Sequence, residues 1–162
     1  MVICSGLSFL LYTTLTNYNT HQVLLILVGV KNMFHPITIP FDCVMLFNRV
    51  HLKEGVTAED VELELGEMCN VVKNNYGDDE GGFIAGQVLE FTGFASAEGS
   101  INSPGDEEKH VAILTYWKSF ENHEASHADK MFKEKFSALL EHVDEADELG
   151  YRLLWQGEPE NL

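Results

Sequence analysis

The sequence predicts an α+β domain, on three observations. His110-Val-Ala-Ile-Leu-Thr-Tyr-Trp117 is rich in β-branched, aliphatic and aromatic residues and reads as a strand. It runs through Lys118-Ser119 into a stretch with apolar residues at helical spacing. An equivalent strand-plus-helix half lies upstream, and the chain closes on a further strand.

In order, Asp42–Leu52 is the first predicted strand. Val44, Leu46, Asn48, Val50 and Leu52 share its core face, and Cys43, Met45, Phe47, Arg49 and His51 the other. Asn48 is the anomaly, because an amide buried without a partner costs about 1–3 kcal/mol. Either neighbouring backbone satisfies it, or it lines a cavity between sheet and helices. Thr57 then caps a helix to about Asn74, with Val61, Leu65, Met68, Cys69 and Val72 as its stripe. Gly81-Gly82 turn the chain into a second strand, Phe83–Phe94, whose Phe83, Ala85, Gln87, Leu89 and Phe91 alternate onto one side. Gly86 inside it signals a bulge or a close backbone approach. Residues 95–109 show no period and form a long loop, of the kind that serves as a lid or an interface arm.

After the third strand, Ser119 caps the second helix, on which Ala125, Ala128, Phe132, Phe136, Leu139 and Val143 form one stripe. Glu145–Gly150 lead into a last strand, Tyr151–Gln156, and a short polar tail, 159–162. The order β-α-β-β-α-β, with right-handed crossovers, gives a ferredoxin-like fold: an antiparallel four-stranded sheet with two helices on one face. Met45, Phe47 and other large side chains on the bare face call for a partner sheet, hence a homodimer.

Composition narrows the function. A formal charge of −16 repels phosphate backbones and anionic lipid, which argues against nucleic acid and membrane partners. Cys4, Cys43 and Cys69 are odd in number and lack CxxC spacing, so neither a disulfide framework nor a Cys-based zinc site is expected; a reducing cytoplasm fits best. Residues 1–41 hold one basic residue, Lys31, and no acid. Their apolar runs fall short of the roughly 18 residues a membrane span needs. This extension is read as an extra docked strand or as a segment upstream of a start at Met33, rather than as a membrane-associating tail. The working domain is 42–158.

His123-Glu-Ala-Ser-His127 fits H-E-x-x-H, which can set two imidazoles on one helix face to bind zinc. Counting about 100° per residue from Phe132, however, His123 falls about 180° and His127 about 140° from the packed stripe. Both are expected to face outward, with Glu145 and Glu148 as third ligands by count alone, so no metal site is expected. The chain has no G-x-S-x-G, P-loop or dinucleotide turn.

From Asp42 to Glu158, about 117 of 162 residues, the chain resembles the antibiotic biosynthesis monooxygenase family of dimeric α/β-barrel proteins. The resemblance rests on the element order, on LFNRVHL (46–52) and on ILTYWKSFENHEASHADKMFKEKF (113–136). It implies a cleft between sheet and helices where a small aromatic or quinol-like substrate is oxidised with O₂, often without metal or flavin. One branch of the family cleaves haem; Asn48 matches its strand Asn, but Ser126 stands where that branch has Trp and Phe136 where it has its axial His. The haem reading thereby loses its ligand and stands only as the weaker alternative to a cofactor-free site.

Two functions of different class remain. One is a cofactor-independent monooxygenase, with Asn48 holding an oxyanion, Trp117 walling the pocket and His110 as base. The other is a non-enzymatic dimer that binds a small ligand or assembles with a partner.

Overall fold

The computed structural model describes residues 36–101 and 109–157. The expectations for an extra strand in the N-terminal extension and for the polar tail lie outside them. Residues 38–162 form one compact unit, distinct from residues 1–37.

Four antiparallel strands make the sheet: β1 (Val44–Leu52), β2 (Phe83–Glu90), β3 (His110–Trp117) and β4 (Val143–Arg152), in the order β2-β3-β1-β4. This is the expected ferredoxin-like arrangement. Leu46 and Val50 of β1 and Val111, Ile113 and Trp117 of β3 point to one side, into a core with helix α1 (Glu62–Tyr76). Val61, at the end of a short 3₁₀ turn, and Leu65, Met68, Val71 and Val72 supply the helical half of that core. Thr57 precedes this segment but does not cap it as expected: its N–H and hydroxyl both donate to Asp60, at 2.9 and 2.8 Å, and no side chain caps the helix start.

Three features depart from the sequence reading. The second helix is two, α2 (Phe120–His127) and α3 (Lys130–Leu140), meeting at Asp129. Asp129 has extended backbone (φ −61°, ψ 130°) and caps α3 by accepting from the N–H groups of Met131 and Phe132. A residue outside the helical basin resets the rotation of the next segment, so one stripe cannot run through both helices. Ala125 and Ala128 are accordingly exposed, while His123 and Ser126 are buried.

The last strand starts at Val143, not Tyr151, and Val143 begins it rather than ending a helix. Its acidic run Asp144-Glu-Ala-Asp-Glu148 reads as a loop, yet edge strands tolerate such residues on their solvent side. In β2, an extra residue at Ile84 shifts the register between Phe83 and Ala85. Phe83 packs edge-on to Trp117 on the helix side, whereas Ala85, Gln87 and Leu89 pair with Tyr116, Leu114 and Ala112 on the other face. The single face predicted for β2 is thereby split, as a bulge requires.

The sheet face away from the helices carries Met45 and Phe47, with Leu89, Leu149 and Tyr151 exposed. Arg49 interrupts it, paired with Asp147 at 3.0 Å. No described helix is long and apolar enough to cross a membrane.

Candidate functional site

The helix-side face of β1 and β4 turns polar at one level. Asn48 and Glu148 are register partners across the two strands. The flanking pairs on that face are Leu46 with Gly150 and Val50 with Ala146. Gly150 lies close under the helix start: a Cβ there would stand 2.8 Å from the ring of Phe120, the first residue of α2, which would have to shift. The strand and the helix start thus approach closely, and α2 passes directly over Glu148.

The N-terminus of α2 is anchored from three sides. The Ser119 hydroxyl accepts from the Asn122 N–H at 3.2 Å, the cap expected from sequence. The Asn122 amide donates to the Glu80 carbonyl at 3.0 Å, and the Lys118 N–H to that of Gly82 at 2.8 Å. Gly82 has φ +75°, and a Cβ there would stand 2.6 Å from the Asn122 side chain, so the Gly81-Gly82 turn is also the seat of the helix.

Anchored this way, α2 turns its histidines inward. The His123 side chain is only 4% exposed and its Nε2 lies 3.2 Å from Glu148 Oε1. His127 Nε2 is 4.0 Å from the same oxygen and is 37% exposed. Trp117 packs edge-on to His123 (centroids 5.4 Å apart), the two imidazoles meet at 4.2 Å, and His127 stacks on Phe132 at 5.2 Å. Buried His123 Nδ1 has no hydrogen-bond partner; Glu124 Oε1 is 3.6 Å away.

These neighbours set the electrostatics. Burial pushes the Glu148 carboxyl up, but the hydrogen bond and charge of His123, the Asn48 side chain and His127 outweigh it and hold it below the ordinary carboxylate range. Burial, and the charge of His123, push the His127 imidazole below its usual value against the pull of Glu148 and Glu124. The combination is a carboxylate, two imidazoles and an amide within reach of one another, open to solvent at His127 and Glu148.

Of the residues singled out from sequence, Asn48 and Trp117 lie on the same side of the sheet. Asn48 has the partner an inward-facing amide needs, in Glu148. Trp117 is 1% exposed, its indole N–H donating to Thr115 Oγ1 at 2.9 Å. His110 lies on the opposite face, between His51 and Phe91 (centroids at 5.3 and 4.7 Å), so it does not reach Asn48. The outward-facing reading of His123 and His127 is corrected by the helix break at Asp129. Sequence alone offers Glu148 only as one of two candidates by count, because its strand is expected to begin no earlier than Tyr151.

At the positions matched to the haem-cleaving branch, Ser126 is buried and donates to the His123 carbonyl at 2.7 Å, and Phe136 stacks on Phe132. Cys43 and Cys69 are free thiols, and burial pushes Cys69 up to about 11, which suits packing rather than attack. Two concavities elsewhere, of about 50 and 450 Å³, are lined by Leu52, Glu90 and His110 and by Asn75, Lys130 and Met131 among others; Asn48 borders neither.

No family model and no curated protein matches the chain. Solved structures do. SnoaB, a cofactor-independent oxygenase from Streptomyces nogalater, is 14% identical, with 74% of this chain and 99% of SnoaB covered and a TM-score of 0.53. An Arabidopsis thaliana protein is 16% identical over 71% of this chain and 99% of its own, also at 0.53. A dimeric ferredoxin-like protein from Thermobifida fusca, 10% identical over 74% and 100%, again gives 0.53. At these identities the likeness establishes the fold: an α+β ferredoxin-like domain with its helices on one side of the sheet.

Proposed function

We propose that the chain is a monooxygenase of the antibiotic biosynthesis monooxygenase type, working as a homodimer on a small aromatic or quinol-like substrate. The observation that carries this reading is the Asn48–Glu148–His123–His127 constellation on the helix side of the sheet, beside Trp117. The fold shared with SnoaB, itself a cofactor-independent oxygenase, supports it.

A substrate whose anion is delocalised can reduce O₂ without help from a cofactor. His127, partly exposed and neighboured by a carboxylate, is the group placed to take the first proton, in the role that His110 is too distant to fill. The Asn48 amide is the donor for the oxyanion that results. Electron transfer to O₂ and recombination at carbon give a hydroperoxide. Loss of water from it leaves a carbonyl, so one oxygen atom enters the product and the other departs as water. The exposed apolar side chains of the bare sheet face support the homodimer. Two free cysteines are compatible with a cytoplasmic setting.

Oxygen uptake by the purified chain with a panel of hydroquinones and related hydroxyarenes tests the reading. Substrate-dependent consumption that falls in His127→Ala is expected. No consumption across the panel would overturn it in favour of the non-enzymatic dimer.

A further inference from the structure

We propose that His123, His127 and Glu148 form a site for one divalent transition-metal ion of the zinc class. One donor atom from each residue lies within 4.8 Å of the other two, and no other such group of three occurs among the described residues. Two imidazoles and a carboxylate are the donors that zinc and its neighbours take. Ligands at about 2.0–2.2 Å from a tetrahedral ion stand roughly 3.4 Å apart. The separations of 3.2 and 4.0 Å from Glu148 Oε1 to the two Nε2 atoms bracket that spacing, so only a slight inward movement is needed.

The surroundings of His123 suit the role of a ligand. His123 is almost wholly buried, yet its Nδ1 has no hydrogen-bond partner. In the chain without an ion, Nε2 carries the proton and donates to Glu148; a cation on Nε2 would move that proton to Nδ1, which faces Glu124 Oε1 at 3.6 Å. Glu124 would fix the tautomer from behind and Asn48 would orient Glu148, the supporting contacts that metal ligands generally receive. His127 and Glu148 reach solvent and give an ion a way in, and a formal charge of −16 raises the local concentration of cations.

The ion would occupy the same lone pairs that the oxidation uses. If the chain is the oxygenase proposed, the ion is therefore an inhibitor, not a cofactor, and metal supply would regulate the site. Binding itself is measured without substrate, so the two proposals fail separately.

The test uses the full chain stripped of metal, titrated with Zn²⁺ by calorimetry and with Co²⁺ by visible absorption. One ion per chain is expected, with cobalt bands of a four- or five-coordinate site. Affinity should fall by at least about tenfold in both His127→Ala and Glu148→Gln, and stay unchanged in His51→Ala on the opposite sheet face. His127 is partly exposed, so its variant should remain folded even where a His123 variant does not. No binding, or binding indifferent to His127 and Glu148, overturns the proposal. Zinc binding in a protein inert toward every hydroquinone upholds the site and removes the oxygenase reading. Oxygen uptake by a chain that binds no zinc does the reverse.

Discussion

Asn48 and Glu148 face each other across the ladder of β1 and β4, on the side of the sheet that α2 covers. Each accounts for the other. The amide finds a carboxylate in place of the backbone partner it would otherwise need, and the carboxylate stays ionised despite partial burial because Asn48 and His123 hold it.

Replacing Asn48 by alanine should leave the fold intact, costing no more than about 1–2 kcal/mol in denaturant unfolding. Oxygen uptake should fall about 10²-fold, the usual consequence of losing one oxyanion donor. A variant that oxidises at the full rate would remove Asn48 from the chemistry.

Gly150→Val should disturb the site from a distance. The new Cβ would stand 2.8 Å from the Phe120 ring, so the helix start must yield and carry His123 away from Glu148. Overpacking of this kind costs about 1–3 kcal/mol. The expected result is a lower unfolding midpoint together with weaker zinc binding; native values for both would show that Phe120 swings aside freely.

Asp129 gives a pH signature. Hydrogen bonds from the Phe132 and Met131 N–H groups, with those of Tyr76 and Asn75, hold its carboxyl below the ordinary range in the folded chain. A group lowered on folding adds stability in full above its unfolded value, about 3.9, and that contribution is lost as pH falls through the folded value. Asp129→Ala should therefore lower the thermal midpoint at pH 7, and the gap to the native chain should close below about pH 4. A gap that stays constant across that range would show that the carboxylate is not what caps α3.

Phe47→Glu addresses assembly. Phe47 meets Tyr151 at 6.5 Å on the face away from the helices and has no role in the helix-side core. Sedimentation should show a dimer for the native chain and a folded monomer for the variant. A native chain that sediments as a monomer at micromolar concentration would sink the homodimer.

Much of the fold is legible in the sequence because its signals are local. The alternation in β1 and β3, the Ser119 start and the stripe Val61, Leu65, Met68, Val72 each declare themselves within one turn or strand. Asn48 is legible as a polar intrusion on an apolar face. The histidines are visible as a motif but fall on the wrong side, since the angular count assumes one helix through Asp129. The string His127-Ala-Asp129-Lys130 carries a capping aspartate, which is the available signal. Glu148 belongs to a strand whose outer positions are acidic, and its alternation (Val143, then Ala146, Glu148 and Gly150 inward) emerges only once β1 is laid beside it. The Ile84 bulge is foreshadowed by Gly86 two residues on, but its position emerges only with two strands in register.

The outer strand of the sheet has one more effect. Asp144, Glu145, Asp147 and Glu148 load β4 with negative charge at the margin where, among the described residues, no further strand pairs with it. A second copy arriving there would bring an identical row of carboxylates against the first, offset in part by Arg49, which pairs with Asp147. Ribbon-like growth into filaments is discouraged along that margin.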